Sequence, residues 1–303
     1  MCKYVLVNPQ TTTQGCQTVG NKILFKQELA PKVMKFIVEA PIIARQTRPG
    51  QFLIIRVHEN GERIPMSIPD VNPENGTITL VVQEVGKSTA LLNALDVGDE
   101  IQDIVGPLGI PTHIENFGTA VAVGGGVGIA PLYPITRALK KAGNYIVSIL
   151  GGRSRAFIIM EEEMRSVSDE ILICTDDGSV GEKGFVSVVL DRLLKEGRQI
   201  DYCIAIGPPI MMKVIADITR PYGIKTYVSL NTVMVDGTGM CGACRISVGG
   251  ETKFVCVDGP EFDGHLVDFS EMFKRMAMYR PQEERSYSSY KSELSEKCKG
   301  HHD

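Results

Sequence analysis

The 303 residues contain no tryptophan, no long unbroken apolar run and no strong excess of either charge. The best hydrophobic stretches are interrupted by Gly, Pro or charged residues, which argues against a membrane span. A formal net charge of −4 gives no electrostatic reason to expect nucleic acid or an anionic membrane as partner. The first residues, MCKYVLVNPQ, lack the basic-then-apolar layout of a secretory signal, so the expected location is the cytoplasm. Internal repeats are absent. So is any Cys-x2-Cys-x2-Cys-x3-Cys run, the pattern that would hold a 4Fe-4S centre.

What is there is the composition of a globular protein, 43% hydrophobic and 22% charged, in a chain long enough for two domains with separate cores. Residues 1–110 carry short β-type runs (KILFKQELA, VMKFIVEAP, QFLIIRVHE, TITLVVQEV) separated by turn residues, with one helical candidate, STALLNAL at 88–95. That rhythm predicts an antiparallel β-barrel or sandwich. Gly and Pro concentrate around IVGPLGIPTH, and a domain boundary is expected there, near residue 110. Over 111–230 strands alternate with helical stretches, beginning with TAVAV (119–123) and ending with KTYVSL (225–230). Such alternation predicts a doubly wound parallel sheet with helices on both faces. Residues 231–268 form a compact Cys- and Gly-rich segment. The tail, 269–303, starts with a helical candidate, SEMFKRMAMYR, and ends in polar residues expected to be mobile.

The first chemical motif is GGGVGIAP, 124–131, directly after a strand and opening a helix. Glycine there lets the backbone approach a phosphate, and the helix N-terminus favours its charge. Gly124, Gly125, Gly126, Gly128, Ala130 and Pro131 are therefore candidate nucleotide contacts. A dinucleotide fold normally has an acid at the end of the second strand. Here the sequence reads GGRSR, with Gly152, Arg153, Ser154 and Arg155. Arginine suits a 2′-phosphate, or is simply solvated, and the choice between NAD(H) and NADP(H) stays open at this level. Two further strand ends, CTDDGSVGEKG and IGPPIMMK, add Thr175, Asp176, Asp177 and Gly178, then Gly207, Pro208 and Met211. Ligands of open α/β sheets bind beyond the carboxyl ends of the strands, so the three loops are expected to share one crevice. In the barrel, ERIPMSIP (62–69) and EVGKSTALL (84–92) combine Arg63 and Lys87 with a helix start at Gly86, Lys87, Ser88 and Thr89. That is the makings of an anion site, although Ser88 as a plain N-cap explains it equally.

The densest signal is DGTGMCGAC followed by Cys256. Three of eight cysteines fall within 241–256, and without a secretory signal such clustering favours metal over disulfides. Asp236-x4-Cys241-x2-Cys244-x11-Cys256 reproduces the plant-type 2Fe-2S spacing with the first ligand changed to aspartate. Zinc bound by the three cysteines and His265 is the rival reading. The scattered Cys2, Cys16, Cys174, Cys203 and Cys298 need no role beyond packing or surface.

Barrel, nucleotide sheet and cluster loop in this order, with these motifs, resemble the ferredoxin-reductase-like electron-transfer subunits, a group that includes the electron-transfer subunit of dihydroorotate dehydrogenase B. The resemblance covers about residues 1–270. Within it, DGTGMCGACR, CVDGPEFDGH (256–265) and the added tail look most like the branch of small subunits of NADH-dependent reduced ferredoxin:NADP+ oxidoreductases. Relatives serving dihydroorotate dehydrogenase carry cysteine where this chain has Asp236. The resemblance implies a flavin held by an R-x-Y-S or R-P-x-S motif, whose end matches Pro65, Met66 and Ser67. Ile64 takes the slot of the motif arginine, with Arg63 one residue earlier. Gly86 to Thr89 match a pyrophosphate turn, which implies FAD, and Val82 is expected among the flavin contacts. It further implies NAD(H) at GGGVGIAP and the Gly207–Pro208 loop. A larger partner subunit with a second flavin and 4Fe-4S centres is implied as well, with ferredoxin reached through it; the alternatives are a subunit serving a dihydroorotate dehydrogenase-like enzyme and a stand-alone NAD(P)H:ferredoxin or flavodoxin reductase. Because the cofactors carry the redox chemistry and the protein supplies positioning, no side-chain acid or base is expected to be essential.

Overall fold

A computed structural model describes residues 21–299, with no description of the side chains of 297–299. Cys2, Cys16, the Cys298 side chain and the end of the polar tail lie outside the described residues.

The N-terminal part contains β1 (Asn21–Ala30), β2 (Val33–Glu39), α1 (Pro41–Gln46), β3 (Phe52–Arg56), β4 (Arg63–Ser67), β5 (Asp70–Asn72), β6 (Thr77–Gln83), α2 (Lys87–Ala94), β7 (Glu100–Ile101) and β8 (Asp103–Leu108). The strands form two antiparallel sheets, ordered β5-β6-β2-β1-β7 and β4-β3-β8. Alternation along each strand turns every second residue inward. Ile23, Phe36, Val38, Leu53, Ile55, Ile78, Leu80 and Val82 from both sheets meet in one core, each essentially without exposure. At roughly 1.5–3 kcal/mol for each large apolar side chain buried, this barrel interior is a principal source of the domain's stability. Helix α1 was not expected from the sequence; it is a six-residue turn opened by Pro41, too short to leave a periodic signature.

The second part runs β9 (Thr119–Gly125), α3 (Ile129–Lys141), β10 (Tyr145–Gly152), α4 (Glu161–Ser166), β11 (Glu170–Thr175), β12 (Glu182–Lys183), α5 (Val186–Lys195), β13 (Tyr202–Ile206), α6 (Pro209–Thr219) and β14 (Lys225–Ser229). Six strands pair in parallel in the order β12-β11-β10-β9-β13-β14. Strand β9 therefore has β10 on one side and β13 on the other, and the topological switch point lies between β9 and β13. The central strands are buried on both faces, with Val121 and Val123 in one core and Ala120 and Ala122 in the other. Helices α5 and α6 cover the first face and α3 the second.

The last part holds β15 (Arg245–Val248), β16 (Glu251–Phe254), α7 (Val255–Asp258), β17 (Glu261–Asp263), α8 (Phe269–Met276) and α9 (Arg280–Lys299). Strand β17 pairs antiparallel with β14 and becomes an edge of the nucleotide sheet. The polar tail, expected to be mobile, instead forms a 20-residue helix, α9, that returns to α2 in the barrel. Among the described residues no helix is long and apolar enough to cross a membrane.

Candidate flavin, nucleotide and cluster sites

A cavity of about 860 Å³ opens where the three parts meet. Its barrel wall is Pro65, Met66 and Ser67 of β4, Val81 and Gln83 of β6, and Val85 and Thr89 at the start of α2. Strand β4 is held against β3 by antiparallel pairing, Leu53 to Met66 and Phe52 to Ser67. Thr89 shapes the turn before α2: its Oγ1 accepts from the amides of Val85 (2.9 Å) and Gly86 (3.1 Å). The first-turn amides of α2 are left without intrahelical partners, as at any helix start.

The opposite wall comes from the switch point. Gly125, Gly126, Gly128 and Pro131 line it from the β9–α3 turn, and Gly207, Pro208 and Met211 from the β13–α6 turn. Gly128 is required by close approach, since a Cβ there would sit 2.4 Å from the carbonyl oxygen of Ile206. The missing side chain lets α3 start directly against β13. Gly152, Arg153 and Asp176 close the nucleotide end from β10 and β11. These strand ends are tied together, with the Asp176 and Asp177 amides donating to the carbonyls of Gly152 (3.1 Å) and Arg153 (3.2 Å).

Other expected contacts lie off the cavity. The Val82 side chain points into the barrel core, and its neighbours Val81 and Gln83 form the wall, as alternation along a strand requires. Exposed Arg63 pairs with Arg56 on the strand β3 and stands away from the cavity. Gly86 and Lys87 belong to the α2 start but not to the lining, and the Ser88 hydroxyl donates to Glu62 (2.6 Å). Gly124 is enclosed between β10 and β13, and Ala130 is buried in α3. Ser154 sits in an extended link, Thr175 donates to the Val180 carbonyl (2.9 Å), and Asp177 holds an Asx turn by accepting from the Ser179 amide (2.9 Å), with Gly178 at its bend. Their part is to shape the β11 turn.

The cavity also contains residues with no sequence signal. Met234 and Pro260 reach it from the cluster segment, and Phe185, Val186 and Ile210 from the helix starts. Nothing in their local pattern announces a site; only packing brings them together.

The cluster segment lies against the same cavity. In the loop 236–244, Gly237 has φ +77°, and a Cβ there would meet Leu108 (2.7 Å) and Ile54 (2.9 Å) of the barrel. Cys244 and Cys256 are buried with their sulfurs 3.2 Å apart, in the core that also contains Phe52 and Met234. Cys241 is exposed on the loop. The Asp236 carboxylate accepts from the amides of Thr238 (2.7 Å) and Cys241 (2.9 Å), and these hydrogen bonds hold it below the ordinary carboxylate range despite partial burial. The four expected ligands thus share one loop and its neighbouring turn, but only the two buried sulfurs meet. No group of three such side chains among the described residues closes on a single point. Three thiols and one carboxylate on so short a loop are nevertheless a donor set that fits a 2Fe-2S cluster. His265 is engaged elsewhere: its Nε2 is 3.0 Å from the hydroxyl of Thr219, the last residue of α6. Cys174 and Cys203 are core thiols, pushed up to about 11 and about 12 by burial.

Comparison with known proteins agrees with this arrangement. Residues 231–268 match the iron–sulfur cluster binding domain of dihydroorotate dehydrogenase B. A protein of Thermotoga maritima described as a homolog of the dihydroorotate dehydrogenase B (NAD(+)) electron transfer subunit is 51% identical over 273 residues, covering 90% of this chain and 96% of its own. The electron transfer subunit of that enzyme from Geobacillus thermodenitrificans is 34% identical over 249 residues, 79% of this chain and 94% of its own. Among solved structures, a chain of the NADH-dependent reduced ferredoxin-NADP oxidoreductase, from work on flavin-based electron bifurcation, superposes with a TM-score of 0.85 at 50% identity. That match covers 91% of this chain and 99% of the other. The chain belongs to the family of electron-transfer subunits of the dihydroorotate dehydrogenase B type.

Proposed function

We propose that the chain is the electron-transfer subunit of a heteromeric, electron-bifurcating ferredoxin:NADP+ oxidoreductase of the cytoplasm, holding FAD and a 2Fe-2S cluster and reacting with NAD(H). The observation that carries this reading is the single cavity walled by barrel, switch-point loops and cluster segment together. When bound, nicotinamide moves electrons in pairs, an iron–sulfur cluster one at a time, and flavin exchanges with both.

The chain's own residues supply position. Pro65, Met66 and Ser67 would hold the flavin ring, and the α2 start shaped by Thr89 would take the flavin pyrophosphate. Gly126 and Gly128 let the nucleotide phosphates approach the α3 start, where the helix dipole favours them. Asp236, Cys241, Cys244 and Cys256 would hold the cluster. Apolar Phe52 and Met234 line the cavity and belong to the core that contains Cys244 and Cys256, and Pro260 lines it beside them. The partner is a larger subunit with a second flavin and 4Fe-4S centres, and ferredoxin is reached through it.

A second reading, a subunit serving dihydroorotate dehydrogenase itself, is favoured by the match over 231–268. The complex isolated from the native source separates the two by the identity of the larger subunit. For the site, the purified chain is expected to be yellow-brown with one flavin and two irons. Asp236→Cys should retain both irons and shift the cluster potential. Zinc without flavin would overturn the reading, and an unchanged potential would remove Asp236 from the ligand set.

A further inference from the structure

Beside the nucleotide end of the cavity stands an arginine whose guanidinium is engaged by a carboxylate. Arg153 and Phe157 line the cavity, whereas Arg155, between them, does not. Ser154 is extended (φ −154°, ψ 174°) and Arg155 opens a short 3-10 turn, Arg155–Phe157, directly after it. The difference lies in what holds the second guanidinium. Arg155 Nη1 donates to Glu161 Oε2, and the other oxygen of Glu161 accepts from Arg165 at 2.7 Å. The Glu161 side chain is only 13% exposed, while that of Arg155 is 56% exposed. Burial opposes ionisation of Glu161, yet the two arginines keep its carboxyl below the ordinary range. The Arg155 amide is fixed as well, donating to the Ser179 hydroxyl at 2.8 Å. At the cavity itself Arg153 and Asp176 both belong to the lining, one cation and one carboxylate.

We infer that Glu161 is a specificity-determining residue for the nicotinamide nucleotide: by holding Arg155 off the cavity it withholds the second cation that a 2′-phosphate needs, and so selects NAD(H) over NADP(H). Two converging arginines are a strong phosphate receptor, and one arginine opposed by a carboxylate is a weak one. A 2′-hydroxyl needs no cation, so its binding loses nothing by the arrangement. The inference rests on the reading that the cavity takes a nicotinamide nucleotide.

The test is equilibrium binding to the full-length, flavin-loaded chain, measured by calorimetry with 5′-AMP, 2′,5′-ADP, NAD+ and NADP+. Wild type is expected to bind 5′-AMP and NAD+ in preference to 2′,5′-ADP and NADP+. In Glu161→Gln, affinity for 2′,5′-ADP and NADP+ should rise about tenfold, the size of one added charged hydrogen bond, with 5′-AMP unchanged. Adding Arg155→Ala to that variant should remove the gain. Affinities for 2′,5′-ADP and NADP+ unchanged from wild type in a folded Glu161→Gln, or a gain that survives Arg155→Ala, would sink the assignment. Should Glu161→Gln not fold, Arg155→Ala alone decides: unaltered 2′,5′-ADP affinity supports a guanidinium already committed to Glu161, and weakened affinity refutes it. A wild type that binds none of the four overturns the nucleotide reading of the cavity, and the inference with it.

Discussion

Glu261 is the residue whose surroundings depart furthest from what its local sequence suggests. It opens β17, yet its Oε1 lies against the barrel, accepting from the Thr112 hydroxyl at 2.7 Å and touching the space a Cβ on Gly50 would fill. Burial pushes its carboxyl up to about 7 from the usual 4.5, the Thr112 hydrogen bond opposing only part of the effect. A raised carboxyl is held protonated in the folded state, so its favourable contribution is complete below pH 4.5 and is lost as pH rises towards 7. The loss amounts to about 3 kcal/mol. Glu261→Gln removes the ionisation, and its stability relative to wild type should therefore increase from pH 5 to pH 8 in denaturant titrations. A constant difference across that range would show that the carboxyl ionises normally. At this scale the sequence is a partial guide: the glycines of GGGVGIAP mark their turn, but the burial of Glu261 or the inward turn of Val82 depends on neighbours distant in the chain.

Among the elements, α9 is the one that local pattern does not explain. Its residues are largely exposed and polar, so an isolated helix of this composition has little reason to stay folded. Contact with the barrel supplies it. Tyr287 donates its hydroxyl to Glu84, which also accepts from Lys32 Nζ at 3.1 Å. The Tyr287 and Lys32 hydrogen bonds hold the Glu84 carboxyl below its ordinary range, against some desolvation. The contribution of this contact is thus present at neutral pH and is lost as pH falls through that lowered value. Glu84 lies between Gln83 and Val85, both on the cavity wall, so α9 braces the strand that faces the flavin. Ending the chain after Tyr279 is expected to leave a folded protein that loses FAD faster on dialysis. Tyr287→Phe should weaken docking by about 1 kcal/mol and speed hydrogen exchange over 280–299. Retention of FAD identical to wild type in the shortened chain would reduce α9 to an ornament of the surface.

For the whole molecule, the decisive feature is that the cluster segment belongs to both larger parts. Strand β17 completes the nucleotide sheet, Ile110 donates its amide to the Gly259 carbonyl at 2.6 Å, and the Gly237 turn packs on Ile54 and Leu108 of the barrel. Flavin side and cluster side are consequently fixed relative to each other by a shared core rather than by a linker. Among the described residues there is one candidate flavin wall and one candidate cluster loop, so the chain is expected to catalyse NADH oxidation by an artificial acceptor alone. Ferredoxin-linked reduction of NADP+ should need the larger subunit. Full ferredoxin:NADP+ activity from the isolated chain would contradict that division.

The order of barrel, parallel sheet and cysteine loop was legible in the sequence because each rests on short-range chemistry. Period-two strands, Gly-rich strand-to-helix turns and closely spaced cysteines all act within about a dozen residues. The single cavity, the turning aside of Arg155 by Glu161 and the docking of α9 were decided only by the tertiary structure. They depend on burial and hydrogen bonding between segments far apart in the chain, such as Tyr287 with Glu84, and no local pattern encodes which distant surface a side chain will meet.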